Sequence, residues 1–149
     1  MNVITVFDGD FAFLSNFYYS PIRIGGIDFP TVEHAFQALK TYSIDEQKKI
    51  AAAPTPGEAK RMGRRVTLRP DWEEVKEAAM LMCLREKFTI PKLREKLLET
   101  GDTYLVEGTL WHDNEWGSCH CEQCVNKIGK NKLGNLLMQV RKEIRNASC

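Results

Sequence analysis

The chain has 149 residues, 43% apolar and 28% charged, with 21 basic against 20 acidic side chains for a net charge of +1. Such a balance excludes a disordered chain, and the size is that of one domain able to bury its own core without disulfide staples. Near-neutral charge argues against a general nucleic-acid coat, and no run of about 18 apolar residues offers itself to a membrane.

Five cysteines are an odd number, and the first residues lack the basic start and apolar core of a secretory signal. The expectation is therefore a cytoplasmic, soluble chain whose cysteines are thiols.

Val3 to Phe7 reads as a strand closed by Asp8-Gly9-Asp10. Phe11 to Tyr19 is unusually aromatic, with Ser15-Asn16 inside it. Pro21 to Phe29 has the pattern of a β-hairpin around Gly25-Gly26. Pro30 to Thr41 is a short helix capped by Thr31, and Ser43 to Ala53 is another that stops near Pro54 and Pro56. Gly57 to Arg65 is small and basic. The clearest helix is expected over about Asp71 to Phe88, with Trp72, Val75, Ala79, Met82 and Leu84 as its apolar stripe. Pro91 to Glu99 is a further helix ended by Gly101. Tyr104 to Glu107 reads as a strand, and Gly108 to Lys130 as irregular chain rich in Trp, Cys, Gly and Asn. The last helix spans about Asn131 to Arg145, with Leu133, Leu136, Leu137, Val140 and Ile144 inward. Strands early and late with helices between predict an α+β fold: a mainly helical single domain, residues 1–149, with a small β-sheet.

The helix after Thr31 has two faces. Val32, Ala35, Phe36 and Leu39 fall on one side, the pattern of a core stripe. Glu33, Gln37 and Lys40 stack in a row on another. A carboxylate, an amide and an amine in one line, on a helix pinned from behind, suit a first layer of catalytic groups. The plainer alternative is a solvated face with an ion pair.

Cys119-x-Cys121-x2-Cys124 places three thiols close together, and His112 or His120 offers a fourth ligand. Structural zinc is chemically acceptable there. The spacing lacks the doubled Cys-x2-Cys layout that would settle it, so no cofactor or metal is assigned. Cys83 falls on a helix and is expected in the core.

Several stretches resemble one known family. Phe13-Leu14-Ser15-Asn16-Phe17, Pro21-Ile22, and Phe29-Pro30-Thr31-Val32-Glu33-His34-Ala35-Phe36-Gln37-Ala38-Leu39-Lys40 are similar to the opening motif of the NADAR family, the YbiA-like N-glycosidases. The likeness continues through Ala59 to Arg64, Trp72 to Lys76, Asp113 to Gly117 and Gly129 to Met138. One departure is Ser118 to Cys124, which stands where the enterobacterial type is glycine-rich.

The resemblance implies a YbiA-like fold and cleavage of an N-glycosidic bond. Some members remove ADP-ribose from guanine in nucleic acid; others split phosphoribosylamino-pyrimidines of riboflavin synthesis. Either substrate joins a ribose C1 to an amine nitrogen. Glu33 is then the acid or base, and Lys40 an amine able to form a Schiff base with an opened ribose. Asn16 and Phe17 match the family's substrate loop, or else form a buried turn with an aromatic plug. Arg64, with Arg65, is a candidate for phosphate or a solvated pair. Gln37 completes the row. Trp111 and Trp116 are candidates to stack on a base, or core and lid anchors. Asp113 meets ribose hydroxyls or orders its loop, and Gly117 belongs to the same motif. Gly129 to Gly134, including Asn131, resembles a turn whose free amides suit a phosphate. Glu107 is a second acidic candidate. The expected partner is an ADP-ribose-containing or phosphoribosyl substrate, ADP-ribosylated nucleic acid among them. A non-catalytic ADP-ribose-binding module is the alternative from another class.

Overall fold

The computed structural model describes residues 2–147. In chain order the elements are β1 (Val3–Ile4), a 3-10 helix (Gly9–Leu14), β2 (Ile22–Ile24), β3 (Ile27–Phe29), α1 (Val32–Ala38), α2 (Ile44–Ala51), α3 (Pro56–Gly63), α4 (Trp72–Lys87), α5 (Pro91–Glu99), β4 (Tyr104–Leu105), β5 (Gly108–Thr109), β6 (Ser118–Cys119) and α6 (Lys132–Ala147). The fold is α+β and mainly helical. The expected sheet is divided into three two-stranded ladders: β1 with β4 and β5 with β6, both parallel, and the antiparallel β2–β3 hairpin.

Two compact units result. Asn16–Ile90 is one, and the segments flanking it in sequence make the other. In the Asn16–Ile90 unit, α1 packs against α2, α3 and α4. It is buried along its whole length, from Val32 through Ala38. Gly25 (φ 58°) and Gly26 (φ 81°) both adopt the positive φ that the tight hairpin between β2 and β3 demands. Thr31 caps α1 as expected, accepting from the His34 amide at 3.1 Å. Ser43 caps α2 through the Glu46 amide at 3.3 Å.

α3 lies where the sequence suggested only a small, basic stretch. Thr55 accepts from the Glu58 amide at 3.1 Å, and Pro56 occupies the first turn. These are start signals that a Pro-rich context hid. On α4 the buried face is Trp72, Met80, Cys83, Leu84 and Lys87, while Met82, expected inward, is 42% exposed. Trp72 and Leu84 point inward as expected, and a lysine on the buried face interrupts the apolar pattern that would have turned Met82 outward. Cys83 is in the core, as expected.

In the flanking unit α5 and α6 pack together, and α6 lies along β4. Leu133, Leu137 and Val140 are buried. Arg141 is buried with them and donates to the Thr100 hydroxyl at 2.8 Å. The first strand is shorter than expected, ending at Ile4, and Gly9 (φ 52°) starts a 3-10 helix that buries Phe13 and Leu14.

Candidate active site

The Glu33–Gln37–Lys40 row is present, but it is not a solvated face. Glu33 is 7% exposed and Gln37 is 4% exposed. The Gln37 Nε2 donates to Glu33 Oε1 at 2.7 Å, a bond between residues one turn apart. With its nitrogen committed to the carboxylate, the Gln37 Oε1 faces inward with no hydrogen-bond partner among the described residues. α3 seals this side: a Cβ on Gly63 would stand 1.9 Å from the Gln37 Oε1, so only glycine permits the approach.

Lys40 lies one residue past the C-cap of the helix rather than on it. α1 ends at Ala38 with Leu39 as its C-cap, and the Lys40 amide closes a tight turn onto the Gln37 carbonyl at 3.2 Å. The amine is half-buried. Desolvation, chiefly, holds its pKa below the ordinary lysine range. Glu33 opposes that shift, while Arg64 and Lys60 reinforce it. The Lys40 amine therefore senses one acid and two further cations. Arg64 is exposed at the C-cap of α3.

The loop before the hairpin joins the same place. The Asn16 carbonyl accepts from the Glu33 amide at 3.1 Å. Its side-chain nitrogen approaches Met80 Sδ at 3.6 Å, and its Oδ1 is buried without a partner among the described residues. Phe17 beside it is 46% exposed, which is not a plug in a core. Two buried amide oxygens, on Asn16 and Gln37, have no protein partner among the described residues. Buried polar groups left so are costly, and ribose hydroxyls are donors of the kind they lack.

Three residues that were not among the predicted site residues complete this environment. Gly63 backs Gln37. Cys83 lies near Glu33: burial, helped by that carboxylate, pushes its thiol up to about 12. Lys87 is fully buried, 5.9 Å from the Tyr18 ring centre and 5.3 Å from that of Phe88, and burial lowers its amine to about 7. In sequence it is simply the last-turn cation of a helix, so nothing announced it. His34, inside the motif, is structural: its ring nitrogens meet the Thr31 hydroxyl at 2.8 Å and the Ala53 carbonyl at 3.0 Å.

The remaining candidates lie on the flanking unit, and several hold structure there. Asp113 Oδ1 accepts from the amides of Glu115 and Trp116 at 3.1 and 3.0 Å, so it orders its loop. Lys132 stands 5.9 Å over the Trp116 ring. Gly117 is needed because a Cβ would meet the Glu107 carbonyl at 2.4 Å. Asn131 (φ 50°) accepts from the Glu107 amide at 3.0 Å and donates to the Leu105 carbonyl at 2.9 Å. Gly134 lets α6 approach β4, where a Cβ would lie 2.1 Å from the Leu105 carbonyl.

The expected phosphate cradle from Gly129 to Gly134 is corrected. The amides of Lys130, Asn131, Lys132 and Leu133 donate to the carbonyls of Asn114, Gly117, Glu115 and Trp116. They are consumed by the neighbouring loop and are not available to an anion. Trp111 is 61% exposed and, with Phe7, Glu107 and His120, lines a cavity of about 380 Å³. The candidate metal ligands resolve to His112 with Cys119, Cys121 and Cys124, while His120 turns to the cavity instead.

Comparison with known proteins bears on these features. The NADAR domain model matches residues 6–145. The chain is 41% identical to N-glycosidase YbiA of Shigella flexneri serotype 5b, over 91% of this chain and 82% of that protein. It is 34% identical to a riboflavin biosynthesis protein of Vibrio vulnificus, over 93% of this chain but 37% of the relative. The NMR structure of Escherichia coli YbiA superposes with a TM-score of 0.84 at 37% identity, covering 99% of this chain and 87% of that one.

Proposed function

This chain belongs to the NADAR family, and on that premise we propose that it is an N-glycosidase that splits the bond between a ribose C1 and an amine nitrogen, with ADP-ribosylated guanine in nucleic acid as its substrate. The observation that carries the reading is the buried Glu33 carboxylate, fixed by Gln37 and within electrostatic range of a half-buried Lys40 amine of lowered pKa. A helix end, a tight turn and a close helix–helix approach all serve to hold these groups, which is the preorganisation that acid–base chemistry requires.

In this mechanism the glycosylamine ring opens as the nitrogen lone pair forms an imine to C1 and the ring oxygen takes a proton from Glu33. Lys40, in its neutral form, adds to C1. The Lys40 nitrogen of the adduct passes a proton to the base amine, which leaves, giving a lysine imine that water hydrolyses to free the sugar, restore Lys40 and return the proton to Glu33. The Asn16 side-chain oxygen, without a partner among the described residues, accepts from a ribose hydroxyl. A second reading has one specific support: the Vibrio vulnificus relative is named for riboflavin biosynthesis. A phosphoribosylamino-pyrimidine presents the same C1–N bond to the same groups.

The test is parallel incubation with an ADP-ribosylated guanine oligonucleotide and with phosphoribosylamino-uracil, the products being separated by chromatography. Release of ADP-ribose from the oligonucleotide is expected. Glu33→Gln should lower that release by about 10²–10⁴-fold while the chain stays folded. Release from the pyrimidine alone would favour the second reading. Tight ADP-ribose binding with release from neither substrate would make the protein a binding module.

A further inference from the structure

We propose that His112, Cys119, Cys121 and Cys124 form a structural zinc site that ties the loop between β5 and the start of α6 into one piece. The four side chains offer one ligand atom each, and all four atoms lie within 4.8 Å of one another. The ligand atoms of a tetrahedral zinc with three thiolates and one imidazole stand about 3.5–3.8 Å apart, from metal distances of about 2.3 Å to sulfur and 2.0 Å to nitrogen. Here the His112 Nδ1 lies 3.3 Å from both the Cys124 and the Cys121 sulfur. Such a cluster already has the size of the metal's first shell.

The backbone is arranged to aim these groups. His112 adopts φ 66°, an uncommon conformation for a residue with a Cβ. It turns the imidazole toward the thiols and places its amide on the Cys119 sulfur at 3.2 Å. Cys119 sits on β6, and its own amide is held by the Asn114 side chain at 2.8 Å. Cys121 and Cys124 share a tight turn closed at 3.0 Å from the Cys124 amide to the Cys121 carbonyl, and the Lys127 amide caps the Cys124 carbonyl at 2.8 Å. An amide directed at a ligand sulfur supports the thiolate form that zinc binds.

Competing explanations fit less well. All three cysteines are free thiols, and three is the wrong number for paired disulfides. A thiol core cluster would not recruit a histidine whose residue is exposed, as His112 is. Four protein ligands leave no open position, so the metal is structural and not catalytic. Its consequence is local. Trp111 precedes one ligand and His120 lies between two others, and both line the cavity of about 380 Å³. Zinc would therefore fix one wall of that cavity. The assignment is independent of the glycosidase reading.

The experiment is metal analysis of the full chain purified without chelator and without a histidine tag. About one zinc per chain is expected, falling to background in the double variant Cys121→Ser with Cys124→Ser and unchanged in Cys83→Ser. Because the double variant is open to misfolding, the wild-type protein is also stripped and titrated with Co²⁺. Visible d–d bands together with thiolate-to-cobalt charge transfer, saturating at one equivalent and reversed by zinc, support the site. Substoichiometric metal with no cobalt bands, iron in place of zinc, or metal retained by the double variant would each overturn it.

Discussion

Gln37 holds Glu33 from one helical turn away, Nε2 to Oε1 at 2.7 Å, inside a helix with no solvated side. Because the amide nitrogen is spent on the carboxylate, the amide oxygen is left facing Gly63 and the interior. One side chain thus fixes the orientation of the acid and presents an acceptor of its own. The pair depends on α3 having no Cβ at its closest point.

That dependence gives a first prediction. A Cβ at position 63 would meet the Gln37 Oε1 at 1.9 Å and its Cδ at 2.7 Å. Gly63→Ala gains about 1 kcal/mol of helix propensity but forces the buried amide aside, a misfit that costs about 1–3 kcal/mol. Stability should change little or fall, while turnover drops because Glu33 loses its anchor. In a Gln37→Ala background the two closest contacts vanish and only the one to the residue 37 Cβ at 3.0 Å remains, so the same change should cost less than it does in the wild type. Thermal melts of the four proteins in a double-mutant cycle measure the coupling, and an additive cycle would remove Gly63 from the argument.

A second prediction concerns pH. Lys40 acts as a free amine, and desolvation first, then Arg64 and Lys60, lower its pKa while Glu33 raises it. The rate should rise with pH and level off below the ordinary lysine value. Arg64→Gln removes a lowering charge and should move the rise to higher pH; Lys40→Arg, never neutral, should abolish the reaction. Borohydride added during turnover should trap a covalent adduct on the wild type that Lys40→Ala lacks. Turnover with no adduct would point to direct water attack assisted by Glu33.

Much of this was legible in the sequence, and the reasons are local. Thr31, Ser43 and Gly25-Gly26 act on neighbours a few residues away, so capping and turn chemistry placed α1, α2 and the hairpin. The apolar stripe of α6 is regular enough to place itself. What stayed hidden depends on distant partners. The amides around Asn131 looked free until the 114–117 loop came to meet them. Lys87 looked like a surface cation until α4 turned it into the core. The choice of His112 over His120 rests on a single positive φ, which spacing does not encode. Glu33 and Gln37 were visible as a row, but their burial was not, since it depends on elements distant in sequence, α3 with its Gly63 among them.

Lys87 gives a third prediction, with a definite sign. Its buried amine titrates at about 7 in the folded chain, against roughly 10.4 in an unfolded one. Between those values the unfolded state binds more protons, so stability rises with pH across that window. Below about 7 the folded chain carries the charge in its core, and the full penalty applies. Lys87→Met keeps the volume and removes the titration. Melting temperature measured from pH 6 to pH 9 should climb more steeply for the wild type than for the variant, whatever their offset. Parallel curves would show that Lys87 keeps its charge through the range.

The last prediction separates structure from substrate binding at Asn131. The side chain bridges the Glu107 amide and the Leu105 carbonyl, and the backbone sits at φ 50°, where Asn and Gly are tolerated and other residues are strained. Asn131→Gly removes two hydrogen bonds without adding strain and should cost about 1–3 kcal/mol. Asn131→Ala removes the same bonds and strains the backbone, so it should cost about 1 kcal/mol more. A purely structural residue predicts that both variants, assayed well below their melting temperatures, keep the wild-type KM. A rise in KM with no loss of stability would instead place Asn131 against the substrate, and would return the turn before α6 to the list of binding elements despite its consumed amides.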